Sequence, residues 1–284
     1  MKEKLVVSFS GGRTSAFMLW WIVNNMKDKE IHVIFANTGL EHENTLKFVH
    51  QVGEWLDIKI NWVEAVINPE KGKGTRHRVV TYETATRGGK LFDDLCAKYG
   101  IPNAGNGMHC TRELKLSAMN SFRKEHDLTD CQTAIGIRSD EIDRMSDKMV
   151  EQRLTYPLVK YAPYATKEFI RHWWSDKPFD LEVEEHYGNC VTCWKKSFKK
   201  LCTVYRDDPS HFDTFKELEH KYGKVNAHLD PTGKGNKFFR GYRGVEDIEE
   251  MSKMMPEFKD VIPSLQVDMF WEETNGCSDS CEVY

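Results

Sequence analysis

Apolar positions in the first part of the chain fall into short runs of strand length separated by longer amphipathic stretches. Leu5-Val6-Val7-Ser8-Phe9 and Ile31-His32-Val33-Ile34-Phe35-Ala36 are nearly continuous apolar runs, each followed by turn residues. Such runs suit strands buried on both faces. The stretch Ala16 to Val23 is helix-compatible, and Glu43 to Leu56 places Leu46, Val49, Val52 and Leu56 on one side of a helix. Ile58-Lys59-Ile60-Asn61-Trp62-Val63 alternates as a third strand. Strand, helix, strand, helix, strand predicts an α/β fold with a doubly wound, mostly parallel sheet. Right-handed crossovers put the ligand crevice at the carboxyl ends of its strands.

The rhythm breaks over residues 68–90, a glycine-rich stretch carrying Lys71, Lys73, Arg76, His77, Arg78, Arg87 and Lys90. Its length predicts a mobile lid over a phosphate-bearing ligand, with a disordered insertion as the alternative. Residues 110–125 look helical, and Gln132 to Ile137 form another strand. Beyond Pro178 the chain turns helical and aromatic. The expected division is a nucleotide-binding domain over 1–165 and a helical, cysteine-containing extension over 166–284, packed on it.

A hydrophobic fraction of 40% supports a core, and no apolar run approaches the roughly 20 residues that cross a bilayer. Met1-Lys2-Glu3-Lys4 leads straight into a strand with no secretory segment, so a cytoplasmic protein without a membrane partner is expected. Net charge is -4, which gives no global attraction to nucleic acid. Lys195, Lys196, Lys199 and Lys200 form one basic cluster, read as a solvated helix face, with a local nucleic-acid patch as its rival.

The chemistry begins at Ser8-Phe9-Ser10-Gly11-Gly12-Arg13-Thr14-Ser15. Glycines at a strand end let a ligand approach the main chain. The helix that follows offers N–H groups and a positive dipole end to an anion. Ser8, Ser10, Thr14 and Ser15 add hydroxyls and Arg13 a charge, while the Gly-Lys-Ser/Thr of a Walker loop is missing. At the next strand end stand Asn37-Thr38-Gly39, and later Gly136-Ile137-Arg138-Ser139-Asp140-Glu141 with Arg144. Lys115, Arg138 and Arg144 suit phosphate clamping, since arginine grips phosphate in bidentate fashion and lysine supplies a point charge. Asp140 and Glu141 have two readings: magnesium ligands on the phosphates, or ion-pair partners of Arg138 and Arg144.

The turn resembles the pyrophosphate loop (PP-loop) of ATP pyrophosphatases and of their relatives, the phosphoadenosine phosphosulfate (PAPS) reductases. Thr14 stands where that pattern carries Asp. Asn37 to Thr45, Cys110-Thr111-Arg112-Glu113-Leu114-Lys115, the Gly136 to Arg144 element, Tyr156-Pro157-Leu158 and Gly188 to Cys193 follow in the family's order. The likeness is greatest to compact PAPS-reductase-like proteins of phages. It implies an adenine nucleotide alpha hydrolase-like fold, with ATP or PAPS held by Ser8, Ser10, Gly11, Gly12, Arg13, Thr14, Ser15, Asn37, Thr38, Gly39 and Gly136. It implies Lys115, Arg138, Glu141 and Arg144 as the catalytic group.

Eight cysteines without an export signal point to metal or redox chemistry rather than disulfides. Cys190 and Cys193 form a Cys-x-x-Cys pair, and Cys110 opens a helix, where the dipole favours thiolate. These three are the expected metal ligands, with Cys281 as the fourth and Cys277 and Cys202 competing for that place. A [4Fe–4S] cluster is the expected occupant, as in some relatives, with zinc as the alternative and inert or dithiol cysteines behind. Cys96 and Cys131 read as core residues.

The expected activity is adenylation or sulfur transfer to an acceptor, a nucleic acid or small molecule, with a sulfur-donor protein as a further partner. Two alternatives stand beside it: a PAPS or APS reductase making sulfite, and a non-catalytic nucleotide or nucleic-acid binder with structural zinc.

Overall fold

The computed structural model describes residues 2–259, except 71, 104, 228, 229, 231, 232 and 234. Cys277 and Cys281 lie outside the described residues.

The chain opens β1 (Glu3–Ser8), α1 (Arg13–Asn25), β2 (Lys29–Ala36), α2 (Glu43–Trp55) and β3 (Ile60–Val66). It continues through β4 (Arg76–Val80) and α3 (Lys90–Tyr99) to a π-helical stretch, Cys110–Ser117, that runs into α4 (Ala118–Glu125). Then come β5 (Gln132–Ala134), β6 (Leu154–Thr155), α5 (Pro157–Tyr161) and α6 (Lys167–Ser175). The later helices are α7 (Phe198–Asp207), α8 (Asp213–Tyr222) and α9 (Val245–Ser252). The strands form one sheet in the order β4-β3-β2-β1-β5-β6, parallel except where β4 pairs antiparallel with β3. This is the expected α/β architecture.

Alternation along β1 and β2 feeds two cores. Leu5, Val7, Phe9, Val33 and Phe35 pack with Phe17, Leu19 and Ile22 of α1 and with Leu46, Val49 and Val52 of α2. Val6, Ile34 and Val63 face the other way, onto Leu91, Leu95, Leu114 and Phe122. Residues beyond 165 enter both cores: Ile170 and Trp174 join the first, and Leu201, Phe215 and Phe238 the second.

Several expectations are corrected. The basic segment is no lid or disordered insertion, because Arg76–Val80 is the sheet's edge strand. Its order has a local cause: the carboxylate of Glu64, wholly buried on β3, accepts from Arg78 Nε at 2.9 Å and Nη2 at 2.6 Å. Thr86 N and Oγ1 bind the same carboxylate at 2.6 and 2.8 Å. A buried charge must be paired in this way, and the pairing pins both ends of the turn to the sheet. The strand at Gln132 stops at Ala134, three residues early. Residues 110–117 wind wider than an α-helix, a local form often found at functional sites. No helix among the described residues is long and apolar enough to cross a membrane.

Candidate functional site

The glycine turn leaves the carboxyl end of β1 and enters α1. Gly11 has φ +81°, a conformation that costs any side chain, and a Cβ there would stand 2.9 Å from Thr45 Cγ2. Gly12 differs: it is the N-cap of α1 at φ -93° and ψ 162°, extended backbone open to other residues. No side chain caps this helix, so the turn presents main chain. Ser10 and Ser15 close the turn on itself, with their hydroxyls 2.9 Å apart, and Ser15 Oγ donates to Gly12 O at 3.0 Å. Ser8 is buried at the strand end.

Arg13 points away from the turn. Its Nε and Nη2 donate to the two oxygens of Asp180 at 2.7 and 2.9 Å, and Nη2 also reaches Leu181 O. Trp174 Nε1 donates to Arg13 O at 3.0 Å, and Asn44 Nδ2 to Glu182 O at 2.8 Å. Residues 180–189 are thereby strapped across the turn. The cavity between strap and turn measures about 10 Å³, room for a single water.

From the other side comes Arg138, after β5 and Gly136. It is 3% exposed, and its Nη1 donates to Thr14 Oγ1 at 3.2 Å. Thr14, where the resemblance leads one to expect Asp, is thus a hydrogen-bond acceptor for the guanidinium. Arg138 Nε lies 2.9 Å from Asp140 and Nη2 3.2 Å from Glu141, while Arg144 Nη1 lies 2.6 Å from Glu141. Of the two readings for these carboxylates, ion pairing is the arrangement present.

The Asn37-Thr38-Gly39 loop, buried at the end of β2, is held just as firmly. Asn37 Nδ2 donates to Glu64 at 2.6 Å and to Thr86 O at 2.9 Å, and Asn37 Oδ1 accepts from Gly39 N. A Cβ on Gly39 would meet Gly88 O at 2.7 Å. Thr38 N and Oγ1 donate to Glu41 at 3.0 and 2.7 Å. Cys190 Sγ lies 3.1 Å from Thr38 Oγ1 and 3.8 Å from Glu41 Oε1.

These contacts bear on metal ligation. Burial pushes the Cys190 thiol well up, the Glu41 carboxylate adds to this, and Lys115 works against it. A bound metal ion displaces the thiol proton, so this burial sets a cost on ligation rather than a bar to it. Among the described residues, the three donors that lie within 4.8 Å of one another are Glu184, His186 and Asp207. Cys110, Cys190 and Cys193 do not form such a group. Cys110 and Cys193 are half-buried, and Cys96 and Cys202 are core residues.

Two of the four clustered lysines are not on a solvated face; Lys195 and Lys199 stay partly exposed. Lys196 is 1% exposed and its Nζ donates to His186 O and Val191 O at 2.5 and 2.8 Å. Lys200 Nζ lies 2.6 Å from Glu185, which Lys167 also holds. Both ammonium groups brace the strap rather than meet solvent.

Glu41, Thr45, Glu64 and Asp180 are the residues here to which the sequence assigned no role. Only Glu41 and Thr45, inside a motif-bearing loop, had any local signal.

Residues 4–168 match the model of the phosphoadenosine phosphosulfate reductase domain. A nin-region protein of Escherichia phage lambda, described as uncharacterised, is 33% identical over 98% of this chain and 94% of its own. An uncharacterised protein of Methanocaldococcus jannaschii is 26% identical over 79% of this chain, which spans 43% of that protein's length. Among solved structures, a predicted subunit of a tRNA methyltransferase from the same archaeon aligns over 73% of this chain and 88% of its own. Its TM-score is 0.34 and its identity 13%. The family match takes in the glycine turn, the Thr38 loop, Lys115, Arg138 and Arg144. The chain belongs to the phosphoadenosine phosphosulfate reductase domain family.

Proposed function

We propose that the chain binds an adenine nucleotide across the carboxyl ends of β1 and β2, phosphates on the Ser8–Ser15 turn. It activates the alpha-phosphate for transfer to an acceptor. With ATP, an acceptor oxygen attacks that phosphorus, the bond to the β-phosphate oxygen breaks, and pyrophosphate leaves. A sulfur nucleophile then displaces AMP. The single observation that carries this reading is the convergence of an uncapped helix start with Arg138, joined through Thr14, at the crevice of the sheet. Positioning and charge stabilisation are what such a site supplies.

Lys115 and Arg144 are assigned to the phosphates by their charge and the family resemblance, with Glu141 orienting the two arginines. The chemistry is assigned to the chain's own groups, with no step through a [4Fe–4S] cluster, zinc or magnesium. A basic face for nucleic acid was the ground for a non-catalytic reading. With Lys196 and Lys200 in internal bonds, only Lys195 and Lys199 of that face stay partly exposed.

A second reading is favoured by Cys190 beside the Thr38 loop. With PAPS as nucleotide, a thiolate attacks the sulfate sulfur and breaks its bond to the phosphate oxygen, releasing adenosine 3′,5′-bisphosphate and leaving a Cys-S-sulfonate. A thiol from the donor then attacks the cysteine sulfur, which releases sulfite and forms a disulfide. The test is calorimetric titration with ATP and with PAPS, followed by product analysis. AMP and pyrophosphate in the presence of an acceptor support adenylation, and sulfite from PAPS with a thiol donor supports the reductase. Failure of both nucleotides to bind would remove the proposal. Iron and zinc analysis after anaerobic purification checks whether the cysteines hold a metal.

A further inference from the structure

Thr45 sits in the first turn of α2, 3% exposed, and lines the small cavity between the strap and the Gly11-Gly12 turn. Its hydroxyl oxygen is buried and has no hydrogen-bond partner among the described residues. A helical threonine in this state is unusual, because its hydroxyl readily bonds a carbonyl of the preceding turn. An orphaned buried hydroxyl carries a desolvation penalty that the fold normally avoids. Facing it across the cavity is the uncapped start of α1, a helix of 13 residues. One wall therefore offers main-chain N–H groups and a positive dipole end, and the other a hydroxyl with nothing to bind.

We propose that Thr45 is a phosphate-binding residue, whose hydroxyl donates to an oxygen of the nucleotide's phosphate chain seated on the turn. This rests on the nucleotide reading and adds to it a donor from the second helix. Two features make the assignment specific. Arg13 lines the cavity, but its guanidinium is taken by Asp180 and Leu181 O, so a phosphate there needs neutral donors beside it. The methyl of Thr45 already fills the space above Gly11, which fixes the side chain against the turn. At about 10 Å³ the cavity takes a phosphate only after residues 181–189 shift, so binding and strap movement are coupled.

The orphaned state gives the test opposite signs for binding and stability. Wild-type, Thr45→Val and Thr45→Ser proteins are titrated with ATP and with inorganic pyrophosphate, and their thermal unfolding is recorded without ligand. Thr45→Val is expected to weaken both ligands by about 10- to 100-fold, the loss of one hydrogen bond to a charged group. Thr45→Ser is expected to stay within about threefold, since the donor is kept. Without ligand, Thr45→Val is expected to unfold at the wild-type temperature or above it, because the substitution removes an unpaired polar atom. Weakening of ATP alone places the hydroxyl on the nucleoside side and overturns the assignment. Unchanged affinity of Thr45→Val for both ligands overturns the Thr45 proposal and leaves the nucleotide reading standing. Failure of the wild-type protein to take up ATP, PAPS and pyrophosphate overturns both.

Discussion

Arg13 and Asp180 face each other through two parallel N–H···O bonds of 2.7 and 2.9 Å, although 167 positions separate them in sequence. The pair fastens the strap to the first residue of α1 and keeps the guanidinium engaged at the rim of the cavity. Asp180→Ala is expected to free Arg13 towards an incoming phosphate. The pair is partly exposed, so the loss of stability should be small, about 1 kcal/mol or less. Stopped-flow mixing with ATP should show faster association than wild type. An unchanged or slower rate would mean that the pair does not restrain entry.

The two glycines of the turn should fail in different ways. Gly11→Ala forces a Cβ at φ +81° against Thr45 Cγ2 and Val49 Cγ2, 2.9 and 3.0 Å away. A loss of about 1–3 kcal/mol in urea unfolding is expected. Gly12→Val meets no such backbone barrier, but sets a branched side chain where phosphate approaches. It should stay folded and lose ATP and PAPS binding in calorimetry. A folded Gly12→Val protein with wild-type affinity would remove the turn from the site.

Glu64→Gln tests the link between the edge strand and the Thr38 loop. The substitution replaces an acceptor of five hydrogen bonds with an amide whose NH₂ faces donors. Because Arg78 is half-exposed and can rehydrate, the expected cost is about 2–3 kcal/mol rather than that of a fully buried pair. Urea unfolding measures it, and hydrogen exchange should show loss of protection over residues 76–88 first.

Acid should loosen the strap through Glu185. Burial works to raise this carboxyl, but hydrogen bonds from Lys167 and Lys200 outweigh it and hold it below the usual carboxylate range. A depressed folded value means that the stabilisation is complete above the unfolded glutamate value, about 4.3, and is lost as pH falls through the folded one. Thermal unfolding of wild type and Glu185→Gln from about pH 6 to about pH 3 should show a shallower acid limb in the variant. Parallel limbs would assign the acid sensitivity elsewhere.

The sheet was readable because burial on both faces leaves a plain record: Leu5, Val6 and Val7 are all apolar, and each faces a helix layer. The turn and the Thr38 loop were visible for a similar reason, as contiguous residues at strand ends. What was misread depended on partners far along the chain. Arg78 looked like a free cation of a lid, since nothing near it hints that Glu64 is buried and needs it. Lys196 and Lys200 looked solvated because a run of lysines has the same appearance whether it meets water or carbonyl oxygens. Cys-x-x-Cys spacing reports that two thiols are near each other, but not that Cys190 lies against Thr38 and Glu41.

The two cores cross the limit of the family match at residue 168. Trp174 is wholly buried against Phe48 of α2, and Leu201 and Phe215 close over the face formed by Val6 and Ile34. The segment that matches the family and the segment that buries its own sheet are therefore not the same length. Severed after residue 168, the chain would keep its phosphate turn and Arg138, yet bare two apolar faces of its central sheet to water. The later helices act as an obligatory intramolecular partner, which ties any change in the strap to the integrity of the nucleotide crevice beneath it.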